Sequence, residues 1–160
     1  YVDVGGGSTE VNLLIKGELV CSKSYNIGTV RMLNDAVDFE EWKRLEVDMR
    51  TLSETYSGTN IIGSGGNINK LYRLAEKTDK KRQRISVAVL KSLYEKLKSL
   101  SFEERMQVFN LKPDRADVII PASEIFLTIA EILHTEYIYV PVIGLADGII
   151  DGLYAANRNR

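Results

Sequence analysis

The stretch DVGGGSTE, Asp3 to Glu10, governs how the chain is read, because it sets three consecutive glycines between two acidic residues at the end of a β-rich run. A glycine triplet loses more conformational freedom on ordering than any other tripeptide, so this turn has to need a backbone clear of side chains, with positive φ expected at Gly6. The element immediately after the glycines sets the fold class. In phosphate loops of the Walker or dinucleotide type, a strand leads through glycines into a helix whose N-terminus faces the anion. Here Val11, Leu13 and Ile15 alternate as a strand up to a Lys16-Gly17 turn, and Glu18 to Tyr25 supplies a further β run. With Tyr1 to Val4 these form an antiparallel meander whose first hairpin carries Gly5, Gly6 and Gly7 at its tip. Such a tip turns successive N–H groups toward one point and lets a phosphate approach the main chain. Ser8 and Thr9 add hydroxyl donors. Asp3 and Glu10 would repel a bare phosphate, which points to a divalent cation between, Mg²⁺ held partly through water. The competing reading is a tight hairpin flanked by solvated acids.

Beyond the meander the period changes. Phe39, Trp42, Leu45, Met49 and Leu52 recur at helical spacing through Thr55. The segment TNIIGSGGNINKLYRL reads as a buried strand, Asn60 to Ile62, then a Gly-rich turn and a helix carrying Ile68, Leu71, Tyr72 and Leu74. The turn Gly63-Ser64-Gly65-Gly66-Asn67 therefore opens a helix after a strand, the usual geometry for an anion, although a helix entry that needs small residues for close packing reads the same way. Val87, Leu90, Leu93, Tyr94 and Leu97 mark another helix, and Ser101 with Glu104 a capping box. From Arg115 to His134 one apolar stripe runs through Val118, Ala122, Ile125, Ile129 and Leu133, with Pro121 expected to kink or restart the helix. EYIYVPVIG reads as a strand and LADGIIDGLYAAN as a closing helix.

Composition bounds the function. A chain of 160 residues with 44% hydrophobic content supports one domain with a core. Net charge near −1 removes the electrostatic case for a nucleic-acid or membrane-surface binder, so any anion is held locally. Cys21 is the single cysteine and no run is long and apolar enough for a signal peptide or a bilayer span, which makes a cytoplasmic location the expectation. The opening on Tyr1, with no initiator Met, reads as part of something longer.

YVDVGGGSTEVNLLIKGELV resembles the second phosphate-binding hairpin of the exopolyphosphatase/guanosine pentaphosphate phosphohydrolase family, within the actin-like, sugar-kinase and heat-shock-chaperone ATPase superfamily. SYNIGTVRM is similar to that family's segment after the third strand, IIGSGGNI to its second Gly-rich turn, DRADVIIPA to its late helix and GLADGII to the start of its closing helix. The resemblance implies an α/β, ribonuclease-H-like domain with a mixed central sheet, the N-terminal meander and helices on both faces. It implies the second, C-terminal domain of two that clamp the substrate, with residues 1–160 lacking the first. The first domain would bring another phosphate hairpin and the water-activating glutamate, so the isolated chain is expected to be inactive. Carried over by position, Asp3 and Glu10 become the metal-linked or water-positioning acids. Gly5, Gly6, Gly7, Ser8 and Thr9 hold terminal phosphates, and Gly63, Ser64, Gly65, Gly66 and Asn67 line the same cleft. The implied substrates are polyphosphate or guanosine pentaphosphate, with Mg²⁺ as cofactor and a homodimer as a possible assembly. An actin-like ATPase or sugar kinase, and a non-catalytic polyphosphate or alarmone sensor, are the rival readings.

The remaining polar residues read as structural. His134 lies at a helix end, where it suits the dipole. Glu76 to Arg84 is a basic run that reads as a solvated linker between helices. Arg31 reads as an internal partner, Arg115 and Asp117 as a cap or internal ion pair, and Cys21 as a small core residue.

Overall fold

Val2 and Val4 are buried while Asp3 between them is exposed, and that alternation organises the sheet of the computed structural model, which describes residues 1–141. Strands β1 (Val2–Val4), β2 (Thr9–Ile15) and β3 (Glu18–Tyr25) form the expected meander. A short helix α1 (Thr29–Leu33) and a long one, α2 (Phe39–Thr55), come next. Then come β4 (Ile61–Ser64), α3 (Gly65–Leu74), β5 (Arg84–Ser86), α4 (Val87–Lys98), α5 (Phe102–Phe109), α6 (Pro113–Ala116), α7 (Ile119–Ile132) and β6 (Tyr137–Tyr139). The strands make one mixed sheet in the order β3-β2-β1-β4-β6-β5. β1 pairs antiparallel with β2 and parallel with β4, β4 runs parallel to β6, and β5 closes the far edge antiparallel to β6.

Strand register puts Val2, Val4, Val11, Leu13, Ile61, Ile85 and Ile138 on one face, all buried. Against them lies α7, whose Ile119, Ala122, Ile125, Phe126, Ile129 and Ala130 have no exposed surface and which touches α2, α3 and α4. Only a narrow side, with Glu124 and Glu131, meets water, and a helix with so broad an apolar face packs into the core. The opposite face of the sheet carries Asp3, Glu10, Asn12, Ser24 and Ser64, none of them buried. The closing helix read in LADGIIDGLYAAN lies outside the described residues.

Several expectations shift. β4 begins at Ile61 and runs on through Gly63 and Ser64, so the second turn starts at Gly65. The stripe from Arg115 divides into α6 and α7, and Pro121 falls in the first turn of α7, where its missing N–H leaves no hydrogen bond unmade. The basic run Glu76 to Arg84 contains a bridge between Asp79 and Arg84 and the start of β5. Cys21 sits half-buried on the edge strand β3 instead of in the core. The capping box at Ser101 and Glu104 forms as expected, and His134 adopts positive φ just after α7.

Candidate phosphate-binding site

The site grows from the register of the first hairpin. Asp3 pairs with Glu10 and Val4 with Thr9, which leaves Gly5 to Ser8 as the connecting loop, and Gly5 N–H donates to the Ser8 carbonyl at 2.9 Å. The carbonyls of the three glycines are held from one side by residues of α1. Thr29 N–H donates to Gly5 O at 3.0 Å, Val30 N–H and Arg31 N–H to Gly6 O at 2.9 and 3.3 Å, and Arg31 Nε to Gly7 O at 2.7 Å. In a planar trans peptide the N–H of the next residue points opposite to the carbonyl. With all three carbonyls drawn toward α1, the N–H groups of Gly6, Gly7 and Ser8 face away from it, and among the described residues none of them has a hydrogen-bond acceptor. Three successive N–H groups left on one side of a loop can receive an anion.

Gly28 makes this approach possible. It caps α1 in extended conformation, and a Cβ there would run into Gly6 O and lie 2.5 Å from the Gly7 carbonyl carbon. Within the triplet a Cβ on Gly5 would meet Ser8 O and one on Gly6 would meet Val30 Cγ2, each at 3.2 Å, one on Gly7 would meet nothing within 4 Å, and none of the three has the positive φ expected at Gly6. Upstream of α1, Glu41 accepts from Arg44 at 2.8 Å and from Asn26 N–H at 2.7 Å, hydrogen bonds that hold its carboxyl below the usual range, and the second fastens the segment to α2.

Both hydroxyls expected to bind phosphate are spent inside the fold. Thr9, fully buried, donates to Ile27 O at 2.6 Å, and Ser8 donates to Glu10 Oε1 at 2.5 Å, so Ser8 offers its N–H and Thr9 serves as a strut. Glu10 also accepts from Ser24 at 3.2 Å. Register aligns Ser24, Glu10, Asp3 and Ser64 as one polar row across four strands.

That row leads to the second turn. Gly65 has φ +89°, and a Cβ there would sit 2.5 Å from Asp3 Oδ1, so the Asp3 carboxylate lies directly against the start of α3. Ser64, the N-cap, makes no side-chain cap, which leaves the first N–H groups of α3 without that partner. Asn67, also expected at the site, is buried: its amide donates to Val4 O at 2.7 Å and its Oδ1 accepts from Arg115 Nη1 at 3.2 Å. It ties α3 to the end of β1, and its side chain is committed to these internal contacts. Gly63 is buried in β4, where a Cβ would lie 2.7 Å from Ile68 Cγ1, so its smallness serves the packing of α3. Arg115, read as a cap or internal ion pair, forms an exposed ion pair with Asp114 at 4.0 Å and also lies over Gly66, with Nη2 3.4 Å from where a Cβ would stand. No local signal marks it, because its partner Asn67 is 48 residues upstream.

Asp3 and Glu10 face each other across β1 and β2 on the exposed side, and neither forms an ion pair among the described residues. Like charges directly opposite on neighbouring strands repel, so the pair fits a cation. No group of three or more His, Cys, Asp or Glu side chains is poised for a metal among the described residues. Two carboxylates without a protein cage suit Mg²⁺, which keeps several waters and shares its ligands with phosphate.

The model of the Ppx/GppA phosphatase family matches residues 1–156. A crystal structure of the Aquifex aeolicus Ppx/GppA family member superimposes with TM-score 0.74 at 26% identity, covering 98% of this chain and 56% of that one. The type II variant from the same organism gives TM-score 0.72 at 28% identity, covering 93% and 54%. An exopolyphosphatase from Cytophaga hutchinsonii shares the fold at TM-score 0.75 and 19% identity, over 97% and 56%. The chain thus spans about half the length of the solved structures it matches. No curated protein matches it. No described helix is long and apolar enough to cross a membrane.

Proposed function

Since the chain belongs to the Ppx/GppA phosphatase family, we propose that it serves as the second, C-terminal domain of a two-domain phosphohydrolase that removes the terminal phosphoryl group of inorganic polyphosphate, of guanosine pentaphosphate, or of both. The observation that supports this reading most is the orientation of the glycine loop, whose three carbonyls are tied to α1 and Arg31 while the N–H groups of Gly6, Gly7 and Ser8 have no acceptor among the described residues.

In this reading the loop amides bind the terminal phosphate oxygens and stabilise the charge that gathers on them during in-line displacement. The first N–H groups of α3 and the Arg115 guanidinium meet the next phosphate along the chain. Asp3 and Glu10 would hold Mg²⁺, which when bound supplies counter-charge to the phosphates. Glu10 is oriented for this by Ser8 and Ser24, and Asp3 by the packing of Gly65 against it. The attacking water is activated by a carboxylate of the first domain, and no phosphoenzyme is invoked.

The test is phosphate release from polyphosphate and from guanosine pentaphosphate by the two-domain protein, with Mg²⁺ present and removed by a chelator. Release that needs Mg²⁺ supports the reading. Binding of either substrate without any release would replace it with a sensor.

A further inference from the structure

We propose that Arg31 is a positioning residue of the phosphate loop, whose Nε–H grips the Gly7 carbonyl and so aims the Ser8 N–H at the bound phosphate. This rests on the reading of Gly5 to Ser8 as the phosphate-binding element. The three glycine carbonyls are not held alike. Gly5 and Gly6 are held by main-chain N–H groups of α1, which any residue there could supply; Gly7 is held by a side chain, Arg31 Nε at 2.7 Å. A Cβ on Gly7 would meet nothing within 4 Å, whereas one on Gly5 would meet Ser8 O and one on Gly6 would meet Val30 Cγ2, each at 3.2 Å. Among the described residues the peptide joining Gly7 to Ser8 has one hydrogen bond, from Arg31, and by peptide planarity that bond sets the direction of the Ser8 N–H. A charged donor at this distance makes a strong hydrogen bond.

The Arg31 charge has no carboxylate within ion-pair distance among the described residues, and its side chain is bound to the loop alone. Glu41 of α2 feels the Arg31 charge from beyond ion-pair distance, while the Nε–H itself is spent on the Gly7 carbonyl.

Substitution separates the fastening from the charge, because glutamine places an N–H donor at the same bond count from the backbone as arginine Nε, without the charge. Lysine keeps the charge one atom further out. In the two-domain protein, Arg31→Ala is expected to lower kcat/KM for phosphate release from polyphosphate about tenfold or more, the scale of one misdirected transition-state hydrogen bond. Arg31→Gln is expected to stay within about threefold of the parent, with Arg31→Lys between. Backbone ¹⁵N relaxation of Gly7 and Ser8, which needs no substrate, is expected to show increased motion in Arg31→Ala and parent-like order in Arg31→Gln. Arg31→Gln as impaired as Arg31→Ala, with Arg31→Lys active, would overturn the proposal in favour of a charge acting directly on substrate. Parent-like order of Gly7 and Ser8 in Arg31→Ala would overturn it as well. If the parent releases no phosphate at all, the functional reading above fails, while the relaxation data still decide whether Arg31 orders the loop.

Discussion

Replacing Gly28 by alanine adds one methyl group at the closest approach between α1 and the glycine loop. Its backbone, φ −144° and ψ 160°, is extended, so alanine fits the conformation and the effect is purely steric. The new Cβ would overlap Gly6 O and lie 2.5 Å from the Gly7 carbonyl carbon and 2.6 Å from that of Gly6, so bringing all three atoms to ordinary contact at 3.4 Å requires the loop to withdraw by about 1 Å. The atoms in the way are main chain, which cannot rotate aside as a side-chain tip could. Overpacking of this kind costs about 1–3 kcal/mol. For a domain of this size that lowers Tm by roughly 2–12 °C. Displacing a catalytic element by nearly 1 Å costs on the order of a hundredfold in rate. The assay is phosphate release from polyphosphate by the two-domain protein, beside thermal unfolding of the same samples. The expected outcome is a large loss of kcat/KM with a modest loss of Tm. Full activity at unchanged Tm would refute the idea that α1 holds the loop by direct contact.

Gly7→Ala meets open space, so Tm is expected to stay within about 2 °C of the parent while activity falls, since the methyl group stands where phosphate approaches. Unchanged turnover would remove Gly7 from the site. Asp3→Asn is expected to lower kcat about tenfold or more with little change in KM and a weakened Mg²⁺ requirement, because the lost counter-charge acts mainly in the transition state; parent-like kinetics and Mg²⁺ dependence would leave Asp3 as a hairpin residue. Burial of Asp48 works to raise its pKa, but hydrogen bonds from Lys23 at 2.6 Å and Tyr25 at 2.9 Å outweigh it and hold the carboxyl below its ordinary 3.8. Its stabilising contribution is therefore complete above that value and lost as pH falls through the lower folded value. Acid unfolding of Asp48→Asn should show a flatter dependence below about pH 4, and an unchanged acid limb would contradict the assignment. Residues 1–160 alone are expected to unfold cooperatively yet release no phosphate; steady release would place the water-activating group within this chain.

Features that repeat locally are legible in the sequence. The meander shows in alternating Val11, Leu13 and Ile15, and α2 shows in its helical stripe, since both periods persist for several residues. The start of α5 is legible in its capping box. Helix α1, at five residues, is too short for periodicity to register, and its role comes from hydrogen bonds to a loop more than twenty residues upstream. Strand β5 hides at the end of a basic run, because Arg84, Ile85 and Ser86 become a strand only by pairing with β6 more than fifty residues later. The candidate site divides in the same way. Asp3, Gly5, Gly6, Gly7 and Glu10 lie within one short stretch and stand out as a motif. Gly28, Arg31 and Arg115 join them through contacts between distant segments. The opposite error has the same origin: Thr9, Asn67 and Gly63 look like site residues in the motif, and only the fold shows their side chains or small size spent on internal contacts.

If the main-chain amides of the glycine loop receive phosphate, titration of the ¹⁵N-labelled chain with tripolyphosphate and Mg²⁺ reads the event at those atoms. The Gly6, Gly7 and Ser8 amide resonances are expected to move downfield together, as N–H groups do on gaining a charged acceptor, with smaller shifts at Gly65 and Gly66. Saturable shifts elsewhere, with the Gly6, Gly7 and Ser8 amides unmoved, would contradict phosphate binding by the loop.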